Sequence, residues 1–368
     1  MGGCTLTTPW ITSLTPTSGS IEGGTAITIT GTNLNGATSV TIGGIEATNV
    51  VVVSSTSITA VTPAGTVGAK SVAVATPNGT ASLASAFTYW CTVLEQYVDP
   101  AVVTNVTMRN AITASGLPWR VRDIAANIEM LLVPAGTFTM GCSASTQYGC
   151  YSSESPTHQV TLTQAFYMGR YEVTQAQWLA TMGYNPSSFQ GQSDSPSRPV
   201  ENVSWIPLVS APGSFMNRTG LRLPTEAEWE YAYRAGTTTA FHSYPAQPNG
   251  FNDDTLLSNI AWYSGNNGAS GSSTYGTKAV GGKFANALGL HDMAGNVMEW
   301  CQDWYSSTYY TSSPLTNPTG PTTGTGTDRV LRGGNWGSYS YSCRASSRNF
   351  YSSGFISGIL GVRVARTP

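Results

Sequence analysis

The C-terminal residues restrict the fold of this chain most, because they combine a fixed framework with short runs drawn from very few residue types. Every residue from 337 to 359 is Gly, Ser, Tyr, Asn, Phe or Ile, with four exceptions, which are Cys343, Arg344, Ala345 and Arg348. The run Ser-Tyr-Ser-Tyr-Ser at 338–342 cannot be wholly buried, because each hydroxyl group would need its own hydrogen-bond partner. The segment therefore predicts an exposed surface in which Tyr supplies contact area while Ser and Gly adapt to a partner.

The residues that do not follow this small alphabet form the framework, and most of them are Gly, Trp or Arg. They are Arg332, Gly333, Gly334, Trp336, Cys343, Arg344, Arg348, Gly361 and Arg363. Guanidinium groups bind backbone carbonyls and carboxylates well. We therefore interpret the arginines as ties between loops, not as contacts to a ligand.

The composition excludes several functional classes. At 368 residues the chain is long enough for two or three domains. Its 17 basic and 19 acidic residues form no basic run, which argues against nucleic-acid binding. No apolar stretch reaches the length of a transmembrane segment. Surfaces rich in Thr, Ser, Asn and Gly predict an extracellular protein, on a bacterial cell surface or in a phage virion.

The first residues, MGGCTLTTPW, lack the apolar region of a signal peptide. Two interpretations of Cys4 stay open. In one, Gly-Gly-Cys is the remnant of a lipoprotein cleavage site and Cys4 carries a lipid anchor. In the other, Cys4 forms a disulfide with Cys91 and brackets the first domain.

Residues 1–91 are predicted to form an all-β domain. Short alternating strands lie between Gly, Pro and Asn turns, in the segments Thr25–Leu34, Ser39–Gly44, Ser57–Pro63, Lys70–Gly79 and Ser85–Trp90. This spacing without a helical period predicts a β-sandwich. The phrases LTPTSGSIEGGTAITITGTNL, VTIGG and VAVATPNGT resemble the IPT/TIG immunoglobulin-like family. The resemblance implies a spacer or adhesion module.

Residues 92–116 are predicted as a linker with a short helix that ends at Gly116, and the second domain is predicted at 117–368. VPAGTFTMG, YEVTQAQW, RLPTEAEWEYA, GLHDMAGNVMEW, RVLRGGNW and GVRVAR follow there in order. These motifs resemble the formylglycine-generating-enzyme type of sulfatase-modifying domain, which implies an α+β C-type lectin fold. The chain departs from the family at Val203–Gly220, where prolines predict an irregular helix.

Two further helices are predicted from their N-terminal signals. Thr174 is a predicted N-cap. Thr225 and Glu228 form the pattern of a capping box at the start of a helix that is predicted to end at Gly236.

The founding activity of the formylglycine family oxidises a cysteine, and the resemblance implies copper bound by two thiolates in a C-x4-C pattern. Cys343 lies at the position of the second thiolate, but Ser338 replaces the first. The three histidines, His158, His242 and His291, have no spacing that links them in an iron site. The chain is therefore predicted not to be an enzyme, with a formylglycine-type oxidoreductase as the alternative.

The C-terminal pattern also resembles the variable proteins of diversity-generating retroelements, which use the same fold. In that system Asn codons (AAC) are copied with errors at adenine, which yields Tyr, Ser, Gly, Phe or Ile but not Lys, Glu, Gln, Met or Trp. The resemblance implies a variable region at 332–366 with fourteen diversified positions. They are Gly337, Ser338, Tyr339, Tyr341, Ser342, Ser347, Asn349, Phe350, Tyr351, Gly354, Phe355, Ser357, Gly358 and Ile359.

The function expected from this resemblance is non-enzymatic display. The diversified surface would bind varied macromolecular targets, meaning a protein or another cell-surface target that is not identified, and no nucleic acid. The protein would be lipid-anchored or part of a surface or virion assembly. An undiversified adhesin for carbohydrate or protein is a further alternative.

The loop HDMAGNVMEW (His291–Trp300) resembles a calcium loop of the formylglycine family. The resemblance implies side-chain ligands at Asp292 and Glu299 and backbone carbonyl ligands at Gly295 and Val297. Alternatively, the two carboxylates tie the loop by hydrogen bonds without metal. A second calcium loop, at Asn259 and Ile260, lacks its carboxylate. No cofactor is required for display, and any calcium would be structural.

Spacing and resemblance together imply three disulfides among six cysteines, although six cysteines allow fifteen pairings. The pairs are Cys4–Cys91, Cys142–Cys150, which staples a short loop, and Cys301–Cys343. An even cysteine count without a CxxC metal pattern favours an oxidising compartment.

Overall fold

The computed structural model of the chain describes residues 7–142, 149–322 and 326–368. The chain divides into two compact units. The first unit extends to Leu94 and includes Val121–Ile124, and the second contains Glu95–Arg120 and Ala125–Thr367. Among the described residues, none of the helices combines the length and the apolar character needed to cross a membrane.

The first unit consists of strands. They are β1 (Trp10–Thr15), β2 (Ser18–Ser20), β3 (Ala26–Thr32), β4 (Ser39–Ile42), β5 (Ile45–Glu46), β6 (Thr48–Ser54), β7 (Ser57–Val61), β8 (Gly68–Thr76) and β9 (Gly79–Glu95). One sheet has the order β1-β3-β7-β6, and β5-β4-β8-β9 follow one another in a second, in which β2 pairs with β9. The predicted all-β sandwich is therefore confirmed.

The core of the first unit follows from the two-residue period of its strands. In β3 every second residue is buried, so that Ile27 and Ile29 face the core while the threonines face solvent. Ile58 of β7 and Val72 and Val74 of β8 complete the same cluster. This alternation predicts which face of each sheet lies inside, and it is how the sequence specifies the sandwich.

The second unit contains all the α-helices of the described chain, together with short strands. The helices are α1 (Val106–Ser115), α2 (Gln175–Met182), α3 (Trp205–Val209), α4 (Phe215–Thr219) and α5 (Glu226–Arg234). Strand β10 (Arg120–Asp123) follows β9 along the chain and belongs mostly to the first unit. The strands of the second unit are β11 (Ile128–Val133), β12 (Gly136–Met140), β13 (His158–Leu162), β14 (Phe166–Gly169), β15 (Ala261–Trp262), β16 (Ala294–Gly295), β17 (Met298–Trp304), β18 (Asp328–Arg332), β19 (Asn349–Ser352), β20 (Leu360–Gly361) and β21 (Ala365–Arg366).

The segment predicted as a linker contributes to the second unit. Its helix, α1, begins after Asn105, whose side chain accepts a hydrogen bond from the Met108 amide at 3.1 Å. The helix ends at Gly116, which has φ 70°. The predicted helix end is confirmed, but this segment is packed as part of a domain and is not a free connection.

The helix signals in the sequence act as predicted. Thr174 and Thr225 each accept a hydrogen bond from the backbone three residues on, and the side chains of Gln177 and Glu228 bind back to complete two capping boxes. Helix α5 ends at Arg234, slightly before the predicted Gly236, because Ala235 already adopts a left-handed backbone with φ 46°.

The region of the family departure is irregular, as predicted. In place of one long helix, the chain forms α3 and α4, each of five residues. Gly213 between them has φ 70°, and Ser214 caps α4 by accepting a hydrogen bond from Asn217 N. A helix cannot pass through that left-handed residue.

A four-stranded sheet carries the variable region. Its order is β19-β18-β17-β20, with β18 antiparallel to both β17 and β19, and β20 parallel to β17. Val330 of β18 lies opposite Phe350 of β19. The chain therefore leaves the sheet after Arg332, the last residue of β18, and returns to it directly after Arg348.

Candidate binding surface

Several large aromatic side chains of the variable region are exposed. Tyr339 is 66% exposed, Phe350 41%, Phe355 39% and Tyr341 37%. Large rings rarely remain exposed in such numbers over one short segment unless they form a contact surface. The structure therefore places these rings on a surface of the second unit.

Thirteen of the fourteen predicted variable positions reach solvent at least in part. The exposed ones are Gly337, Tyr339, Tyr341, Asn349, Phe350, Gly354 and Phe355, and the half-buried ones are Ser338, Ser342, Tyr351, Ser357, Gly358 and Ile359. The fourteenth, Ser347, is buried, and its carbonyl accepts a hydrogen bond from Arg332 Nη1 at 2.5 Å. Ser347 is thus part of the framework, and its inclusion as a surface residue is corrected.

The exposed rings form three separate sets of contacts. Tyr339 and Tyr341 stack with ring centres 5.7 Å apart, and Tyr151 meets Tyr341 edge-on at 6.2 Å. In the second set, Tyr351 and Phe355 stack at 4.3 Å, and the third set is a single pair. Phe350 stacks at 4.1 Å on Tyr305. Tyr151 and Tyr305 lie outside the variable region, and the sequence analysis missed both because nothing local in the sequence signals such distant contacts.

Helix α5 holds two of the framework arginines from one face. Arg348 donates from Nε and Nη2 to the two carboxylate oxygens of Glu226, at 2.6 and 2.9 Å. Arg332 binds Glu230 and lies 3.7 Å from Glu226. Positions 226 and 230 are four residues apart on the helix, so both carboxylates lie on the same face.

The other two framework arginines bind carboxylates elsewhere in the fold. Arg344 forms a two-pronged pair with Glu154, with both N–O distances 2.8 Å, and donates to the Gly149 carbonyl at 2.8 Å. Arg363 binds Glu299 at 2.7 Å and donates to the Gly169 carbonyl at 2.9 Å. The interpretation of these arginines as ties between loops and carboxylates matches these contacts.

Burial makes these ion pairs costly to break. The side chains of Arg332, Arg344, Arg348 and Arg363 are fully shielded from solvent. Burial alone would raise the pKa of Glu226, but the guanidinium groups of Arg348 and Arg332 outweigh it and lower the pKa of this carboxyl. Removing one partner of a buried pair costs about 3–5 kcal/mol of stability. The backbone that carries the exposed rings is therefore held rigidly.

A copper site of the formylglycine type does not fit these residues. The Cys343 thiol is fully buried, and burial raises its pKa to about 12. The hydroxyl of Ser338 accepts a hydrogen bond from the Asn335 amide at 3.1 Å. Cu(I) prefers two soft thiolates, whereas this position offers one protonated thiol and one alcohol.

The histidines do not form a metal site either. His158 packs on Tyr310, His242 on Tyr233 and His291 on Tyr171, with ring centres 4.8–5.2 Å apart. Burial lowers the pKa of His242 to about 4. In the described parts of the chain, the only close group of three possible metal ligands is Cys142, Cys150 and Glu154.

The cysteines agree with the sequence analysis in one pair and differ in another. Cys142 and Cys150 form a disulfide with Cα atoms 5.6 Å apart. The predicted Cys301–Cys343 bond is wrong, because both are free, buried thiols in different surroundings. Cys343 packs against Gly334, where an added Cβ would lie 2.8 Å from the sulfur, whereas Cys301 lies in β17.

Cys4 lies outside the described residues, so its two interpretations stay predictions. Its proposed disulfide partner, Cys91, is buried at the end of the first unit.

The predicted calcium ligands are only partly suited to a cation. Asp292 Oδ1 is buried without a hydrogen-bond partner, as a ligand atom would be, while Oδ2 accepts from the Gly281 amide at 2.6 Å. Glu299, in contrast, accepts from Arg363 at 2.7 Å and from Trp229 Nε1 at 2.6 Å. A carboxylate held by a guanidinium group is a poor calcium ligand, so the set does not fit the site that the resemblance implied.

The loop segment between Asp292 and Glu299 is held by protein groups. The Gly295 amide donates to the Gly333 carbonyl at 2.8 Å, and the Val297 amide donates to Glu172 at 3.0 Å. These contacts engage the amide groups and not the carbonyls that the resemblance assigned to calcium, so both interpretations of the loop stay predictions.

A lysine lies at the second candidate calcium loop. Lys283 Nζ donates to the Ser258 carbonyl at 2.5 Å, next to Asn259, and lies 3.9 Å from the centre of the Trp262 ring. This ammonium group brings a positive charge to the loop from the protein itself.

The sulfatase-modifying factor enzyme 1-like domain family matches residues 121–368 of this chain, and the IPT/TIG domain family matches residues 9–89. The chain is 30% identical over 285 residues to the chaperone protein LppX of Paenibacillus barcinonensis, and this match covers 65% of this chain and 89% of that protein. It is also 37% identical over 182 residues to the formylglycine-generating enzyme of Streptomyces coelicolor, and this match covers 46% of this chain and 53% of the enzyme.

Two solved structures share the fold of the second unit. Treponema denticola variable protein 1 matches with a TM-score of 0.54 and 32% identity, over 66% of this chain and 95% of that protein. PvdO from Pseudomonas aeruginosa matches with a TM-score of 0.55 and 25% identity, over 68% of this chain and 98% of that protein. The fold of the second unit thus occurs both in a variable protein and in PvdO.

Proposed function

Because the chain belongs to the sulfatase-modifying factor enzyme 1-like domain family over residues 121–368, with an IPT/TIG domain before it, we propose that it is a non-enzymatic ligand-binding protein. The variable region of the second unit would present a diversified surface that recognises macromolecular targets. Its similarity to Treponema denticola variable protein 1, over 95% of that protein, supports this choice within the family.

One observation carries the proposal: the framework is buried and paired while the interchangeable side chains are exposed. Arg332, Arg344, Arg348 and Arg363 are buried in ion pairs. Thirteen of the fourteen predicted variable side chains reach solvent. Substitutions at those thirteen positions would change the surface and leave the ion pairs in place.

The exposed side chains suit a protein partner. Stacked Tyr and Phe rings offer large contact areas at low entropic cost, and the serines around them offer hydrogen bonds. None of the fourteen positions carries a charge. The partner that fits best is therefore a neutral patch of a folded protein at a cell surface, with no role for nucleic acid.

The buried Cys343 thiol and the Ser338 hydroxyl support the non-enzymatic assignment over the oxidoreductase alternative. Anaerobic titration with Cu(I) is expected to give no thiolate-to-copper absorption band from the folded chain. Oxidation of a cysteine-containing peptide by the copper-treated protein would contradict the proposal.

The proposal is tested with a library of variants, each made in the full-length chain. The thirteen solvent-reaching positions are replaced by the residues that AAC codons yield, Ser347 is held fixed, and binders are selected against an immobilised model protein, hen egg-white lysozyme. The control library changes an equal number of exposed positions on β1 and β3 of the first unit and its neighbouring strands.

We expect lysozyme binders from the first library and none from the control, with unfolding midpoints of the binders within about 5 °C of the parent chain, as for surface substitutions. A first library that yields folded members and no binders would overturn the proposal.

The first unit is proposed as a spacer that carries the display domain on a bacterial cell surface or in a phage virion. Strand β3 exposes three threonines, and β6 exposes Val51 and Val53. Lysozyme binding by library members that is unchanged after substitutions on β3 would support a spacer role.

A further inference from the structure

We infer that Tyr151 and Tyr305, two residues outside the variable region, are constant members of the binding surface and anchor a neutral, apolar patch of a protein partner. This inference rests on the proposed function. It goes beyond it, because it assigns part of the binding energy to residues that diversification does not reach.

Tyr151 lies beside the first set of variable rings. It is 49% exposed and meets Tyr341 edge-on at 6.2 Å. The backbone next to it also faces the same ring, since a Cβ built on Gly149 would lie 3.6 Å from the Cβ of Tyr341. Tyr151 therefore extends the surface formed by Tyr339 and Tyr341.

Buried contacts fix the position of Tyr151. Arg344 donates to the Gly149 carbonyl on one side of it and binds Glu154 on the other. The Arg344 guanidinium carbon lies 5.9 Å from the centre of the Tyr151 ring. The disulfide of Cys150, the neighbouring residue, closes the same segment.

Tyr305 has the same relation to another variable ring, that of Phe350. It is half-buried and stacks on Phe350 with ring centres 4.1 Å apart and planes inclined by 21°. The Arg348 guanidinium carbon lies 5.1 Å from its ring centre, and Arg348 donates to the carbonyl of Ser306 at 3.2 Å. The Tyr305 amide donates to the Asp328 carbonyl at 3.0 Å.

The two arrangements repeat one design. In each, a buried framework arginine lies against a tyrosine from a neighbouring loop, and that tyrosine contacts a variable ring. The arginines are fixed by Glu154 and Glu226, so their contacts with both tyrosines remain available when the residue at 341 or 350 changes. A cation beneath a ring also favours that orientation energetically.

A fixed ring is useful to a surface that changes. When position 341 or 350 becomes Ser or Gly, the face or edge of the neighbouring tyrosine is freed for the partner. Preorganised Tyr side chains are frequent binding hot spots, because they supply contact area without an ordering cost. Binders with unrelated variable sequences should therefore depend on the same two tyrosines.

The experiment uses several independent lysozyme binders from the library described above, each as the full chain. Tyr151→Ala and Tyr305→Ala are introduced into each binder, together with the ring-preserving Tyr151→Phe and Tyr305→Phe. The matched control is Tyr97→Ala, since Tyr97 is 83% exposed and lies before α1. Lysozyme affinity and the unfolding midpoint are measured for every variant.

We expect at least one of the two alanine substitutions to weaken most binders about tenfold or more, which is the scale of a hot-spot residue. The phenylalanine variants and Tyr97→Ala should stay within about threefold of the parent binder. If Tyr305→Ala does not fold, Tyr305→Leu, which keeps an apolar contact with Phe350, takes its place.

Binders whose lysozyme affinity stays within about threefold after both alanine substitutions would overturn the inference and leave the proposed function intact. A library without any binder would overturn the proposed function, and the inference would fall with it.

Discussion

Single residues decide whether the variable surface is rigid, and the framework arginines are the clearest case. Arg348 is shielded from solvent and gives four hydrogen bonds, two to Glu226 and one each to the Ser153 and Ser306 carbonyls. One side chain thus holds three separate parts of the chain beneath the exposed rings. The planar guanidinium group suits this role, because its donors point in several fixed directions.

Arg348→Met should destabilise the chain by about 3 kcal/mol or more, because it leaves the buried Glu226 carboxylate with two longer contacts, to Arg332 at 3.7 Å and to the Tyr310 hydroxyl at 3.4 Å. Urea unfolding measures the change. Arg218→Ala is the control, because Arg218 is exposed and donates to the nearby Gly213 carbonyl. The double variant Arg348→Met with Glu226→Gln should recover part of the loss, and equal midpoints for Arg348→Met and Arg218→Ala would contradict the assigned role.

Glu201 should make the stability depend on pH near neutrality. It is buried next to the variable position Gly358, and burial raises its pKa from 4.5 to about 7, against a hydrogen bond from the Phe189 amide at 2.9 Å. A raised carboxyl pKa means that the folded chain holds this proton more tightly than the unfolded chain. The contribution of Glu201 to stability therefore falls as pH rises from about 4.5 through 7.

Glu201→Gln should remove that decline, so that the unfolding free energy changes less between pH 5 and pH 8 than in the parent chain. Denaturant unfolding at both pH values measures it. Glu46→Gln, which changes an exposed carboxyl of the first unit, serves as the control. An unaltered pH profile in Glu201→Gln would show that this carboxyl does not titrate as described.

At the level of elements, the surface is assembled from a helix, a hairpin and a stapled loop. Helix α5 supplies Glu226 and Glu230, the β18–β19 hairpin supplies the rings, and the segment after Cys150 supplies Glu154. The staple matters because the Cys142–Cys150 disulfide closes the loop that leads into Gly149 and Tyr151.

Replacing Cys142 and Cys150 together by alanine should lower the unfolding free energy by about 2–3 kcal/mol, because the unfolded chain regains the conformational entropy that this short closed loop removes. Denaturant unfolding without reductant measures it. Alkylation of the unfolded, unreduced parent chain should label Cys301 and Cys343 and leave Cys142 and Cys150 unlabelled. An unchanged unfolding midpoint, or alkylation of Cys142, would contradict the structure.

The sequence predicts elements well where the signal is local. The N-cap at Thr174, the capping box at Thr225 and the helix end at Gly116 depend on residues within one turn, and all three are present in the structure. The Cys142–Cys150 bond is likewise short in sequence. The broken helix at Val203–Gly220 follows from local prolines and glycine.

The sequence fails where the outcome depends on distant partners. The Cys301–Cys343 bond was wrong, because pairing requires two side chains to meet in space and Cys343 instead packs on Gly334. Ser347 was predicted as a surface residue, but it is buried, and its carbonyl accepts a hydrogen bond from Arg332. Tyr151 and Tyr305 were missed because their ring contacts join segments far apart in the chain.

For the whole molecule, the sparse charge has a consequence for binding. Only 10% of the residues are charged, the net charge is −2, and none of the predicted variable positions is charged. The four framework arginines form buried ion pairs, so they contribute little to the electrostatic potential outside the protein. Recognition should depend on contact and shape more than on electrostatic attraction.

The affinity of library-derived binders for lysozyme should change less than about threefold between 50 and 500 mM NaCl, because screening affects exposed charges and the variable surface has none. Biolayer interferometry at both salt concentrations measures it. A binder with Lys283→Glu, a charge change on the same unit outside the variable region, provides the comparison. A tenfold loss with salt in most binders would contradict a neutral interface.

The carboxylates that hold the variable region come from a different part of the gene. Glu154, Glu226 and Glu230 precede Arg332, Arg344 and Arg348 by roughly one hundred residues or more along the chain. If the proposed diversification is confined to the final codons, it would therefore leave the carboxylate half of these three pairs unchanged. Every variant would keep the same buried carboxylates that bind the framework arginines. New side chains could therefore appear on the surface without any compensating change elsewhere in the protein.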